Sequence, residues 1–118
     1  MTSSEFRGLT VGDSVQQCVG RKKFLVSDRH GTRVTIARTI DVKNLPEWRK
    51  IRNGLNPIRR ISELRPGDIL TFISTLDICV VASVHGDHAT AVETTEISRA
   101  DVEEWEIVTK TGRRITPA

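Results

Sequence analysis

The chain has 118 residues, 37% of them apolar and 28% charged, with a formal net charge of +3. That is the length and composition of one compact domain, or of two very small ones sharing a core. No apolar run approaches the ~18–20 residues of a membrane span, the N-terminus shows no secretory pattern, and two cysteines, Cys18 and Cys79, make no disulfide framework, so a reducing cytoplasm is the expected compartment.

In chain order, residues 1–8 read as an N-terminal tail. Three short β-branched runs follow, "SVQQCV", "KFLVS" and "RVTIART". Turn chemistry separates them, which is a strand pattern. "DRHGTR" predicts a tight hairpin turn, where Gly31 accepts a positive φ. "NLPEW" then has capping-box spacing, with Asn44 three before Glu47 and Pro46 suited to a first helical turn. The segment after Trp48, "RKIRNGL", predicts a helix, because Trp48, Ile51 and Leu55 share a helical face. Gly54, Asn56-Pro57 and Pro66-Gly67 break the chain before it starts again. "ILTFIS", "ICVVASV" and "ATAVETT" are three further strands, with "VHGDHA" as their hairpin turn. "DVEEW" is a second capped helical turn, starting at Asp101, and "EIVTKTGRRI" predicts a last strand and hairpin.

These elements come twice. "GDSVQQCVGRKKFLVSDRHG" (Gly12 to Gly31) and "GDILTFISTLDICVVASVHG" (Gly67 to Gly86) share length, opening and close at an offset of 55. Leu9 matches Leu64, Val26 matches Val81, Thr35 matches Thr90 and Thr39 matches Thr94. Two residues later in register, Trp48 matches Trp105, and beyond it "RRIS" (Arg59 to Ser62) matches "RRIT" (Arg113 to Thr116) at an offset of 54. A set of landmarks that recurs in the same order at nearly the same spacing is the signature of a duplicated structural unit.

Each unit of ~55 residues, with short strands, one helical turn and a Gly-Asp ahead of the first strand, resembles the SH3-like small barrels, a group that includes Tudor-type and KOW-type modules. The resemblance is one of architecture. It implies a mainly β protein of two tandem SH3-like barrels, each with a short helix after its third strand. Module 1 then covers residues 9–61 and module 2 residues 62–118. A single barrel of this size is marginal, and two packed together share buried area.

Chemistry-bearing patterns are few. His85 and His88 have metal-ligand spacing with Asp87 between them. A hairpin does not put residues three apart reliably on one face, and no cysteine cluster completes a site. No metal and no cofactor are expected. His30 and His85 recur at one repeat position, which favours a turn role. No nucleophile elbow or phosphate loop occurs, and no catalytic residue is expected. The acidic run "EISRADVEEWE" reads as a solvated face.

The charge is unevenly divided along the chain. Residues 1–62 hold 13 Lys/Arg and 5 Asp/Glu, net +8, and residues 63–118 hold 5 and 10, net −5. The basic clusters are Arg21, Lys22 and Lys23; Arg49, Lys50 and Arg52; Arg59 and Arg60; and Arg113 and Arg114. A stripe built from them would meet a phosphate backbone. With no Tyr, three Phe and two Trp, base stacking is poorly supported, and backbone-led contact with DNA or RNA fits better. The expected function is a small nucleic-acid-binding regulator or accessory protein. The alternative is a protein–protein adaptor, phage- or plasmid-encoded in one version, with an acidic second half offered to basic partners. Exposed edge strands make a homodimer an expectation as well.

Overall fold

The computed structural model describes residues 1–110. It is mainly β, and its strands form one open antiparallel sheet of nine. The strands are β1 (Ser14–Gln17), β2 (Lys23–His30), β3 (Arg33–Val42), β4 (Trp48–Ile51), β5 (Leu55–Pro57), β6 (Ile69–Phe72), β7 (Ile78–His85), β8 (His88–Ile97) and β9 (Trp105–Thr109). Their order across the sheet is β5-β4-β6-β7-β8-β3-β2-β1-β9. Three 3-10 turns, Leu45–Glu47, Ile61–Glu63 and Arg99–Glu104, and the helix α1 (Ser3–Arg7) are the other elements among the described residues.

The repeat recurs in detail. Gly12 N–H donates to Val26 O at 2.9 Å and Val26 N–H to Asp13 O at 2.8 Å; Gly67, Val81 and Asp68 repeat both bonds at 2.8 Å. The Asp13 and Asp68 carboxylates accept from the Thr10 and Arg65 amides at 2.9 and 2.8 Å. Gly12 and Gly67 sit at φ 96° and 95°, the left-handed region in which a side chain is strained. The β2–β3 hairpin bulges between Val26 and Asp28, and the β7–β8 hairpin between Val81 and Ser83. Both hairpins close on two-residue turns, with Gly31 and Gly86 at φ 60° and 55°. The Gly-Asp signature is thus a working element: glycine makes the turn, and aspartate ties it to the strand behind.

Compactness divides the chain differently from the repeat. One unit is Met1–Arg38 with Thr94–Ala118, and the other is Thr39–Glu93. Strands β3 and β8 each run through a boundary. The core of the first unit is built from first-repeat residues Phe6, Leu9, Val15, Phe24, Val26, Val34 and Ile36, closed by Ile97, Val102 and Trp105 of the second repeat. The core of the second unit is built from Ile58, Ile61, Leu64, Leu70, Cys79, Val81, Ala89 and Ala91, closed by Val42 and Trp48 of the first repeat. Each repeat therefore supplies the last strand of the unit that its partner begins: β4 pairs with β6, and β9 pairs with β1.

Four local expectations change. Residues 1–8 are not a tail. Thr2 and Glu5 form a capping box, Phe6 is buried, and Arg29 donates to Phe6 O and Leu9 O at 2.8 and 3.0 Å. The Asn44 side chain makes no capping bond to the backbone; its Nδ2 meets Glu47 Oε1 at 3.3 Å. Trp48 opens β4 and "RKIRNGL" is a strand pair, because Trp48 and Lys50 face the core while Ile51 lies on the opposite side. The three-and-four spacing of Trp48, Ile51 and Leu55 has no helical meaning there. In the second repeat the cap is Ser98, and Asp101 is its reciprocal partner. The longer 3-10 segment there accounts for the two-residue shift of Trp105. The hairpin expected after Trp105 lies beyond the described residues.

Candidate interaction surfaces

The basic clusters do not converge. In the first unit, Arg21 is exposed on the turn before β2 and Lys23 is exposed at the first position of β2, with Lys22 half-buried between them. Arg21 holds φ 56°. The same unit sets the segment around Trp105 against β1 and the residues that follow it. Cys18 N–H donates to Glu104 O at 2.9 Å, and Gln16 Nε2 donates to Glu106 Oε1 at 2.5 Å. Gln17, Cys18 and Val19 face Glu103, Glu104 and Trp105 across a groove of about 420 Å³. In the second unit, Arg52, Arg59 and Arg60 are exposed, whereas Arg49 and Lys50 are half-buried. Lys50 points inward and its Nζ lies 3.2 Å from Asp68 Oδ2. Burial works to raise the Asp68 carboxyl, but the Arg65 amide and the Lys50 ammonium outweigh it and hold it below 3.8. Arg49 donates to Pro46 O and Trp48 O at 3.0 and 2.8 Å. Arg113 and Arg114 lie outside the described residues.

Exchange of the last strands also rearranges the charge. By composition, the first unit carries 11 Lys/Arg and 8 Asp/Glu, net +3, and the second carries 7 and 7, net zero. The difference between +8 and −5 read along the chain belongs to the sequence halves. It shrinks to +3 against zero mainly because the basic residues 39–62, six Lys/Arg against two Asp/Glu, fold with the second repeat.

At the second hairpin, the His85 and His88 rings are 5.8 Å apart, and His85 Nε2 lies 2.8 Å from Ser83 Oγ. Among the described residues no three His, Cys, Asp or Glu side chains come together as a metal site. Neither Cys18 nor Cys79 is in a disulfide.

A different feature of the second unit was not read from the sequence. In strands β4 to β8, one set of alternate residues fills the core and the other faces out. Leu55 stands opposite Ile51, Ile69 opposite Val80, and Val80 opposite Val92. The register of β4 on β6, with Lys50 opposite Leu70, sets Ile51 level with Ile69. The result is one apolar row, Leu55–Ile51–Ile69–Val80–Val92, across five adjacent strands. Ile78 extends it along β7. Leu55 is 58% exposed, Ile69 43%, Ile78 56% and Val80 42%. Ile73 and Leu76 of the β6–β7 turn are exposed too, Leu76 at φ 62°. The signal was present in "ICVVASV": both alternate sets of that strand are apolar, so one of them has to face out.

The same positions of the first unit are different. At the offset of 55, Ile69 becomes Ser14, Ile78 becomes Lys23 and Val92 becomes Ala37. The fold therefore does not need aliphatic residues there. Leu25, at the Val80 position, is exposed but stands between Ser14 and Ala37.

No family model matches this chain, and neither a curated protein nor a solved structure matches it. No helix among the described residues is long and apolar enough to cross a membrane.

Proposed function

We propose that the chain is a non-catalytic protein-interaction module, made of two SH3-like small barrels, each completed by the last strand of the other repeat. The repeated Gly-Asp turns, the repeated bulges and the matched tryptophans support the barrel reading. The observation that carries the function is the exposed apolar row on the outer face of the second unit. Contiguous apolar surface on a folded domain marks interaction sites, and in the sister repeat three of the same positions are polar or small (Ser14, Lys23 and Ala37), with Leu25 and Val108 as separate aliphatic residues. The occupant is a segment of another protein.

The test is selection of a displayed random-peptide library on the folded protein, counter-selected on Val80→Lys. Sequences retained by the wild type and lost on the variant support the reading. A library that yields nothing over bare support, or only sequences indifferent to Val80→Lys, sinks it.

A second reading, a nucleic-acid-binding accessory protein, is favoured by one observation: Arg21 stands exposed on the turn before β2 and Lys23 stands exposed at the first position of that strand. Lys50 is engaged with Asp68, and the units are nearly balanced in charge, so the polyanion-binding surface is smaller than the chain-wise count implied. Binding to duplex and single-stranded DNA and RNA, measured across salt, decides it. Affinity that falls steeply with salt and weakens when Arg21, Lys22 and Lys23 are all replaced by Ala supports this reading; absence of binding at low salt ends it.

A further inference from the structure

The outer face of the second unit is one-sided in charge as well as apolar. By register, the positions of that face on β4 to β8 are Arg49 and Ile51, Leu55 and Pro57, Ile69 and Thr71 (itself covered, at 3% exposure), Ile78 and Val80, and Thr90 and Val92, up to the bulge in β7. None of them is a carboxylate, and the one charge among them is Arg49. Arg52 is exposed on the turn that joins Ile51 to Leu55, at the end of the apolar row. One guanidinium nitrogen of Arg49 is used on Pro46 O and Trp48 O; a guanidinium has further donors, arranged to take a carboxylate in two bonds. At the matching position of the first unit stands Glu106, which is bonded to Gln16 at 2.5 Å. There the polar row Glu106–Gln16–Lys23 completes itself within the unit. In the second unit that row is Arg49–Thr71–Ile78, with no carboxylate in it.

We infer that this face takes an acidic amphipathic segment of another protein, with its apolar side chains on the Leu55–Val92 row and a carboxylate on Arg49 or Arg52. The inference rests on the interaction-module reading and adds the chemistry of the partner. A second copy of this chain is the less suitable occupant, since two such faces brought together carry arginine on both sides and no carboxylate to meet it. Five strands at the ~4.8 Å spacing of a sheet make a row about 19 Å long. That length fits about six residues of extended chain or about thirteen of helix. The segment is short, and its apolar residues have to fall on one side.

The experiment uses the full chain and two fluorescent synthetic peptides, each long enough to cover the row. Both carry the same spaced Ile and Leu residues; one has Glu at the remaining positions and the other has Lys. Anisotropy titrations at low and moderate salt give the affinities. The acidic peptide should bind about tenfold or more tighter, the size of a charge-assisted hydrogen bond. Arg52→Glu, on an exposed turn, should remove most of that preference, and Arg49→Glu should reverse it. Arg49 also holds two backbone carbonyls, so Arg52→Glu keeps the test open if Arg49→Glu fails to fold. Equal binding of both peptides, lost in Val80→Lys, overturns the acidic partner and leaves the interaction module standing. Binding of either peptide that Val80→Lys does not change overturns both. A dimer in light scattering that becomes a monomer in Val80→Lys overturns the inference in favour of a second copy on this face.

Discussion

Trp105 packs edge-on against Phe24, with ring centroids 5.5 Å apart and planes at 76°. The contact closes the core of the first repeat with the aromatic anchor of the second. Trp48 makes the reciprocal contact with Phe72, at 5.1 Å and 64°. Both tryptophans are 5% exposed, so each indole reports on one core.

Single-tryptophan variants should therefore separate the two units. In Trp48→Phe the remaining fluorescence follows the first unit, and in Trp105→Phe it follows the second. Truncation to Ala at either position should cost about 3–5 kcal/mol. Urea denaturation followed by fluorescence and by far-UV circular dichroism checks this. If Trp48→Ala leaves the transition of the second unit where it was, the assignment of that core is wrong.

Asp13 is fully buried and its carboxylate lies 2.6 Å from Lys110 Nζ, which also reaches Gly8 O. Removing one member of a buried pair strands the other, so Asp13→Ala should destabilise by about 3 kcal/mol or more. The matching aspartate of the second repeat, Asp68, pairs instead with Lys50 of β4, and that pair is 20–25% exposed. Asp68→Ala should cost about 1 kcal/mol. Chemical denaturation of the two variants side by side tests the order. Equal losses would mean that the two Gly-Asp turns are equally buried in solution.

Stability should fall with acid partly through Asp68. Its folded carboxyl titrates below 3.8, the ordinary value. The unfolded chain therefore binds the proton first, and the contribution is present above that value and lost as pH drops through the folded one. Asp68→Asn should make the acid limb of the stability curve shallower while leaving its slope near neutrality unchanged. Melting temperature measured from neutral pH down to below 3.8 reads this out.

Nothing lies within 4 Å of the place a Cβ would occupy at Gly67, where φ is 95°. The penalty in Gly67→Ala is then backbone strain alone, about 1–2 kcal/mol. A neutral or stabilising result would show that the turn relaxes to a negative φ.

Ile69→Ser and Ile78→Lys install residues that the first repeat already carries at those positions. As exposed positions not needed by the fold, each should change stability by no more than about 0.5 kcal/mol. A larger loss would mean that the apolar row serves folding, and that its exposure is incidental.

The strands, their hairpins and the duplication were legible because they depend on local chemistry: alternation, Gly at positive φ, and an aspartate that bonds its own turn. The partner of the last strand was not legible. β4 leaves β3 by way of Leu45–Glu47 and then pairs with β6, and nothing in the composition of "WRKI" says which sheet edge it joins. The helical reading of Trp48, Ile51 and Leu55 failed for a related reason: two residues on the outer face and one on the inner happened to have helical spacing. The basic residues were legible as residues, but their setting was not. Lys50 points into the protein because Trp48, two positions earlier, does, and chain-wise charge counting cannot see that. The outer apolar row escaped notice because an aliphatic strand residue looks the same whichever side it faces.

The second unit is an unbroken stretch of chain, Thr39–Glu93, and the first is in two pieces on either side of it. On the ribosome the interior stretch is complete while the closing strand of the outer unit is still unmade. The N-terminal residues, although synthesised first, have to wait for Ile97, Val102 and Trp105 before their own core can shut. The order of birth and the order of folding are thus opposed, and the early strands spend translation with an open apolar side.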